Sequence, residues 1–148
     1  MSVGQTAAAS VGVGMRIPSV PNAVLLVMDP RHGVIPDSMN GGLIAASESC
    51  IAIGTTAESE CEVEIEIRHL PEEDQPGDPS LQCVSRAHIA TPQGILSVCT
   101  VWLEELVSAQ VSHETSVVEV WLNDDSEPNL VIVVVREDIT QSSGPATQ

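Results

Sequence analysis

The sequence predicts an all-β fold, an antiparallel β-sandwich of about eight to nine short strands. Valine and isoleucine together supply 31 of the 148 residues, and these β-branched side chains suit a pleated, half-buried surface better than a helix. Apolar residues recur with a period close to two, which is typical of half-buried strands. Short turns separate the apolar runs, and such turns favour antiparallel pairs because parallel pairs need crossovers of about a dozen residues or more.

The alternation is clearest between Cys61 and His69, where Val63, Ile65 and Ile67 are separated by charged residues. Alternate side chains of a strand point to opposite faces, so one face is predicted to be buried and the other to carry carboxylates. The other predicted strands are Ala23–Met28, Leu43–Ala46, Cys50–Thr55, Leu81–Ala90, Gly94–Val101, Val107–Val111, Thr115–Asn123 and Asn129–Arg136.

Three segments predict how these strands are arranged. The turn Thr91–Gly94, with proline early and glycine late, predicts a hairpin between the strands on either side, and Asp124–Asn129 predicts another between the last two. The last strand is apolar on both faces over Leu130–Val135, which predicts a central position or a cover provided by the C-terminal tail. Residues 102–111 also fit one or two helical turns, so a short helix stays open as an alternative there.

The chain is predicted to form one domain with loose ends. Residues 1–21 are rich in alanine, serine and glycine and lack a clear period, which predicts a flexible N-terminal segment. Residues 140–148 predict a flexible C-terminal tail, so the β-sandwich domain is expected to span residues 22–139. No stretch reaches the ~20 apolar residues of a membrane span, and the N-terminal residues lack a secretory pattern, so we expect a cytoplasmic protein without membrane contact.

The charge of the chain is its other outlying feature. It has 21 acidic residues against five arginines and no lysine, a formal net charge of −16. Phosphate binding requires a cationic surface, so direct binding to nucleic acid is not expected. A basic protein is a better partner for such a surface, although acidity also serves solubility or reflects the base composition of the genome.

The strongest candidate site is the segment from Glu58 to Asp78, which contains nine carboxylates and a single cation, Arg68. Carboxylates on one strand face stand about 6–7 Å apart, because a strand rises about 3.3 Å per residue. This spacing resembles a phosphate backbone, so a basic nuclease or DNA-binding protein is expected to dock there with fast, salt-sensitive association. The predicted partner-binding residues are Glu62, Glu64, Glu66, Glu72, Glu73, Asp74 and Asp78.

Other interpretations of the acidic segment are a solvated outer face without a partner and a calcium site, which the irregular spacing of its oxygen ligands argues against. His32, His69, His88 and His113 lack the paired spacing of zinc sites. No serine lies in a nucleophile elbow, and no glycine pattern matches a phosphate-binding loop. We therefore expect no enzyme activity, no metal and no cofactor.

Two further groups of residues carry alternatives. Cys50, Cys61, Cys83 and Cys99 are spread singly, without zinc-like spacing, and buried free thiols are expected, although the even number leaves a disulfide open. The segment Asp29–Gly33 predicts a tight turn or a binding loop.

The order of these elements resembles that of bacterial competence protein J and related small nuclease-inhibitor or immunity-type proteins. The matching features are an acidic strand at 62–68, a proline-rich loop, the turn 91–94, and strands at 95–98, 106–111 and 118–123. They cover about residues 43–136. Where the family usually has a glycine or proline turn and an aromatic residue, this chain has Ser112–Thr115. The resemblance implies a cytoplasmic protein that neutralises a nuclease or toxin by occupying its basic surface.

Two hypotheses of different class follow. The first is an inhibitor or immunity-like protein whose acidic strand and loop bind a basic nuclease or toxin. The second is a structural subunit that associates with itself through an open sheet edge, with acidity serving only solubility. We expect a monomer or a homodimer.

Overall fold

The computed structural model describes residues 12–18, 20, 23–37, 39, 42–55, 62–124 and 128–137. Its strands are β1 (Gly12–Ile17), β2 (Val24–Met28), β3 (Ile44–Ala46), β4 (Cys50–Gly54), β5 (Val63–Pro71), β6 (Gln82–Ala90), β7 (Ile95–Thr100), β8 (Glu105–Gln110), β9 (Thr115–Leu122) and β10 (Leu130–Glu137). They form two five-stranded sheets: sheet A has the order β1-β5-β10-β9-β6 and sheet B the order β3-β4-β2-β7-β8. The predicted all-β class is confirmed.

The two sheets pack against each other through aliphatic side chains. In β5, Val63, Ile65 and Ile67 are fully buried, as their alternation with charged residues predicts. Val131 and Val133 of β10 belong to the same core. Full burial of one such side chain contributes about 1.5–3 kcal/mol, so the inner faces of the strands dominate the stability of the fold.

All nine predicted strands are present, with bounds within two residues of those predicted. The apolar strand β10 occupies the centre of sheet A, as its two apolar faces indicate. The helical alternative for residues 102–111 is wrong, because Glu105–Gln110 forms β8 and pairs antiparallel with β7. No helix in the described ranges is long and apolar enough to cross a membrane.

Strand β1 lies within the segment 1–21 that the sequence predicts to be flexible, and this part of the prediction needs correction. Gly12–Ile17 pairs antiparallel with β5 along its whole length. Val13, Met15 and Ile17 alternate with Gly12, Gly14 and Arg16, but this alternation is short and lies at the end of a segment rich in small residues. Ile17 is buried in the core and Met15 packs against it, so this burial and the pairing with β5 together specify the strand. The C-terminal residues 138–148 lie outside the described residues, and the domain limits stay predictions.

One strand pair departs from the predicted antiparallel arrangement. Strands β5 and β10 are parallel neighbours in sheet A, with Glu64 opposite Leu130 and Arg68 opposite Val134. Parallel pairing requires a long crossover. Here the crossover contains β6 to β9, a non-local connection that short turns do not reveal.

The turn Thr91–Gly94 forms as predicted, closed by a hydrogen bond from the Gly94 N–H to the Thr91 carbonyl at 3.0 Å, but it does not make a hairpin. It carries the chain from β6 in sheet A to β7 in sheet B. The physical reason is that Leu96–Thr100 is buried on both faces and lies between β2 and β8 in sheet B. By contrast, β9 and β10 are antiparallel neighbours, as the predicted hairpin at 124–129 requires.

Both sheets are also covered on part of their outer faces. On sheet B, Leu26, Cys50 and Cys99 form a second apolar cluster, against which Met39 packs. On sheet A, Ile132 and Val134 of β10 pack with residues from the ends of the β5–β6 connection in a third cluster. The connection therefore lies against the outer face of sheet A, which explains why β10 is apolar on both faces.

Candidate partner-binding surface

The outer face of sheet A carries the acidic side of β5. The side chains of Glu64 and Glu66 are 41% and 28% exposed. Gly14 of the neighbouring strand β1 lies opposite Glu66, and a Cβ added there would approach Cγ of Glu66 to 2.7 Å. An open groove of about 660 Å³ runs along this region and is lined by both glutamates. Gly14 thus leaves room for the side chain of Glu66, which lines the open groove.

Two arginines of the protein contact these strand carboxylates. Nε of Arg68 lies 2.7 Å from Oε1 of Glu66, and Nε of Arg16 lies 3.9 Å from Oε1 of Glu64. Exposed ion pairs contribute only about 0–1 kcal/mol. A cation of the partner can therefore displace Arg16 from Glu64, the more exposed of the two pairs, at little cost. Glu62, immediately before β5, is exposed, and no described arginine lies within ion-pairing distance of it.

Residues 72–81, between β5 and β6, form an acidic loop that is held to sheet A by arginine side chains. Nη1 of Arg68 donates to the carbonyl of Pro76 at 2.7 Å. Nη1 of Arg136 donates to the carbonyl of Pro71 at 2.6 Å and also to that of Asp74. Because these cations bind backbone carbonyls, they fix the path of the loop without neutralising the carboxylate of Asp74.

The carboxylates of the acidic loop point to solvent. Glu73 and Asp74 are exposed and, among the residues described, have no arginine within ion-pairing distance. Asp78 accepts hydrogen bonds from the N–H and the hydroxyl of Ser80 at 2.9 and 2.8 Å. These two bonds lower the pKa of Asp78, with a smaller contribution from Arg68, and keep the side chain ionised. The turn before it requires glycine, because Gly77 has φ of +98°.

Sequence reasoning missed Glu119, which lies on the outer face of β9. Its Oε1 accepts hydrogen bonds from Nη2 of Arg136 and Nε1 of Trp121, both at 2.9 Å. Its Oε2 accepts one from Nη1 of Arg86 at 2.5 Å. Burial opposes ionisation, but the three donors outweigh it and lower the pKa of Glu119. One buried carboxylate thus holds two arginines in place.

Both arginines extend from Glu119 to the acidic loop. Arg136 binds the backbone of the loop. Arg86 makes two contacts with the Glu72 carboxylate, at 2.9 and 3.2 Å. The signal in the sequence that could have revealed this anchor is a single acid within the apolar run of β9. Its partners come from β6 and β10, which are far apart in the chain, so spacing alone does not identify them.

The structure brings most of the predicted site together on one side of the molecule. The strand carboxylates of Glu64 and Glu66 share the outer face of sheet A with the loop that carries Glu72, Glu73, Asp74 and Asp78. The Glu72 carboxylate is engaged by Arg86, whereas the carboxylates of Glu73 and Asp74 pair with no described arginine. Their role in binding stays a prediction.

The remaining candidate residues have structural roles or none. Within the described part of the chain, no group of three or more metal-ligating side chains comes together. Asp29 is fully buried, and its carboxylate accepts hydrogen bonds from the N–H of Arg31 at 3.1 Å and of Gln93 at 2.8 Å. It ties the turn after β2 to the corner between the sheets, which favours the tight-turn interpretation of Asp29–Gly33 over a binding loop.

The described cysteines are free thiols. Cys50 and Cys99 are buried, as expected, whereas Cys83 is exposed; Cys61 lies outside the described residues. Cys50 is opposite Met28 and Cys99 is opposite Leu26, on the two sides of β2. The Cα atoms of Cys50 and Cys99 are therefore at least two strand spacings apart, about 9–10 Å. This exceeds the ~7 Å limit for the Cα atoms of a disulfide. This register does not permit a disulfide between them.

Comparison with known proteins gives matches of structure and none of sequence. No protein-family model and no curated protein sequence matches the chain. The crystal structure of ComJ from Bacillus subtilis, an inhibitor of the DNA-degrading activity of NucA, is similar with a TM-score of 0.52 and 12% identity, over 85% of this chain and 96% of that one. A structure titled crocagin biosynthetic gene J is similar with a TM-score of 0.56 and 10% identity, over 88% and 99% of the two chains. The resemblance to competence protein J is confirmed as a likeness of fold.

Proposed function

We propose that the chain is an inhibitory protein-binding module that docks its acidic face on the basic surface of a nuclease or toxin. The observation that carries the proposal is the acidic loop, whose backbone is bound by Arg68 and Arg136 while the carboxylates of Glu73 and Asp74 pair with no described arginine. The ComJ fold supports the same class of function, since that protein inhibits a DNA-degrading nuclease.

The fixed loop favours affinity for a physical reason. Binding costs free energy for every loop that must be ordered at the interface, in addition to about 0.5–1.5 kcal/mol for each flexible side chain. The acidic loop is ordered before binding, by hydrogen bonds from Arg68 and Arg136 to its backbone. This part of the cost is therefore already met in the free protein.

The charge of the chain supports rapid capture of a cationic partner. A net charge of −16 attracts a basic protein over several ångströms and accelerates association at low salt. A nuclease that binds DNA presents a cationic surface to the phosphates. An acidic protein that occupies this surface excludes DNA by competition, and this mode of action requires no catalytic group.

The test is a DNA-degradation assay with purified NucA from Bacillus subtilis and with the cationic nucleases of the organism that encodes the chain. The variant is Glu73→Lys combined with Asp74→Lys, which reverses two exposed carboxylates that no described arginine pairs. The matched control is Glu48→Lys combined with Glu114→Lys, two exposed acids near the corner between the sheets.

Wild type and the control are expected to inhibit one of these nucleases stoichiometrically, and the loop variant to lose at least about tenfold in affinity. Circular dichroism must show that the loop variant is folded. If the wild type inhibits none of the nucleases, the inhibitor function is wrong. If the loop variant inhibits as well as the wild type, the site is wrong.

Self-association through a sheet edge is the second candidate. Strand β6 spans Gln82–Ala90 and pairs on one side only, with β9, at the edge of sheet A. A bulge between Cys83 and Ser85 interrupts its register, and bulges at sheet edges oppose strand addition. Static light scattering separates the two candidates: a mass that stays monomeric at all concentrations contradicts self-assembly.

A further inference from the structure

The tip of the β7–β8 hairpin exposes two large apolar side chains. Trp102 is 72% exposed, the most of any described large apolar side chain, and Leu103, at 56%, is exceeded otherwise only by Val34. A tryptophan at a loop tip adds nothing to the core of the protein. Tryptophan is, however, among the residues that contribute most to protein–protein binding energy when a partner's pocket buries them.

The tip is a fixed structure, because one buried threonine holds it. The hydroxyl of Thr100 accepts hydrogen bonds from the N–H groups of Trp102 and Glu104, at 3.2 and 3.3 Å. The carbonyl of Thr100 accepts from the Leu103 N–H at 2.9 Å, and its own N–H donates to the Glu104 carbonyl at 3.0 Å. The backbone at Trp102 is thus fixed before any partner binds.

The tip also contains backbone strain. Leu103 has φ of +67°, in the left-handed region where a side chain costs about 1–2 kcal/mol and glycine is the usual residue. A leucine here gives the fold less stability than a glycine would. Residues with a strained backbone are concentrated at functional sites.

The charges around the tip define the partner that it fits. Glu104 and Glu105 follow Leu103 directly, and both are exposed. Thr100 pairs with Leu25 near the start of β2, and a short connection joins this start to the end of β1, where Ile17 pairs with Val63. The hairpin tip therefore lies at the end of the sandwich where β5 begins with Val63 and Glu64, whereas Glu73 and Asp74 follow the opposite end of β5.

We propose that Trp102 and Leu103 insert into an apolar pocket on the same cationic partner protein that the acidic face binds. The two apolar side chains supply a short-range contact in the partner's pocket. The carboxylates of Glu104 and Glu105 match basic residues at the rim of that pocket. The inference rests on the proposed function for the charge of the partner, and it adds a second contact that salt does not weaken.

The experiment places the photocrosslinking amino acid p-benzoylphenylalanine at position 102, and at position 95 as a control, in the full chain expressed in its own organism. Ile95 is 38% exposed and lies at the other end of β7. Crosslinked proteins are identified by mass spectrometry, purified and tested for binding to the wild type, Trp102→Ala and Ile95→Ala.

The inference predicts a crosslink from position 102, and not from position 95, to a protein of net positive charge. It also predicts that Trp102→Ala weakens binding of that protein by at least ~30-fold while Ile95→Ala does not. It is overturned if position 102 gives no crosslink beyond that of position 95, if it crosslinks only a second copy of this chain, or if Trp102→Ala binds the purified protein like the wild type.

A combined variant separates this inference from the proposed function. The crosslinker at position 102 is added to the Glu73→Lys, Asp74→Lys chain. Loss of the crosslink supports a single partner held by both surfaces. A crosslink that persists at full yield leaves the docking role of the tip in place and contradicts the acidic face as the site.

Discussion

Nη2 of Arg136 donates a hydrogen bond to Oε1 of Glu119 at 2.9 Å, and the two side chains are only 5% and 6% exposed. The pair lies beneath the acidic loop, and the other side of the Arg136 guanidinium binds the loop backbone. A buried charge pair is costly to assemble and still more costly to break. The acidic surface is therefore stabilised by a salt bridge that contributes no exposed charge of its own.

Loss of the Glu119 carboxylate is expected to destabilise the fold strongly. Glu119→Gln leaves the Arg136 guanidinium buried without its counter-charge, and breaking such a pair costs about 3–5 kcal/mol. Urea unfolding followed by tryptophan fluorescence measures the change. Glu72→Gln is the control, since it removes an exposed partner of Arg86 and should cost less than about 1 kcal/mol. Equal costs for the two variants would contradict a structural role for Glu119.

The same carboxylate predicts how stability depends on pH. Burial opposes its charge, but hydrogen bonds from Arg136, Trp121 and Arg86 hold the pKa of Glu119 below its ordinary value of 4.5. A lowered folded-state pKa stabilises the fold above the unfolded-state value, and this contribution is lost as the pH falls through the folded-state value. The free-energy difference between wild type and Glu119→Gln should therefore be constant near neutral pH and shrink below about pH 4.5. A difference that grows on acidification would contradict this linkage.

Thiol reactivity should separate the cysteines of the folded protein. Burial raises the pKa of Cys50 to about 12 and that of Cys99 to about 11, so neither forms a thiolate near neutral pH. Cys83 is exposed, although partial burial and the nearby Glu119 raise its pKa as well. Iodoacetamide should modify Cys83 slowly in the native protein and leave Cys50 and Cys99 intact until urea is added. Modification of Cys50 in the native protein would show that the second apolar cluster, on the outer face of sheet B, is accessible to the reagent.

Leu103→Gly should stabilise the fold while it removes an apolar side chain from the hairpin tip. Relief of the strain at φ of +67° gains about 1–2 kcal/mol, from which the greater unfolded-state entropy of glycine subtracts about 1 kcal/mol or less. The thermal midpoint is therefore expected to rise slightly. Trp102→Gly, at a position without positive φ, is the control and should give no such rise. A fall in the midpoint of Leu103→Gly would mean that the leucine side chain supports the hairpin.

The strands were predictable because their period is a local property of the sequence. The alternation of Val63, Ile65 and Ile67 with charged residues is visible without knowledge of the partner strands. Strand β1 was not recognised in this way, because its short alternation of Val13, Met15 and Ile17 lies in a segment rich in small residues. The corner at Thr91–Gly94 has the local signature of a hairpin turn, and only the pairing of β7 with β2 and β8 reveals that it joins two sheets.

The acidic residues of the candidate site were predictable from composition, but the structure beneath them was not. The run from Glu62 to Asp78 is evident in the sequence, whereas the anchor consists of Arg86, Glu119 and Arg136 from three separate strands. The sequence also does not distinguish Glu72, which an arginine engages, from Glu73 and Asp74. Tertiary contacts alone decide which of these carboxylates are available to a partner.

The most direct test of the account is the salt dependence of association with the nuclease that the wild type inhibits. Stopped-flow tryptophan fluorescence follows the association rate as salt rises from about 50 mM to about 500 mM. We expect the rate to fall at least about tenfold for the wild type and to depend much less on salt for Glu73→Lys with Asp74→Lys. A wild-type rate that does not change with salt would contradict recognition through the acidic face.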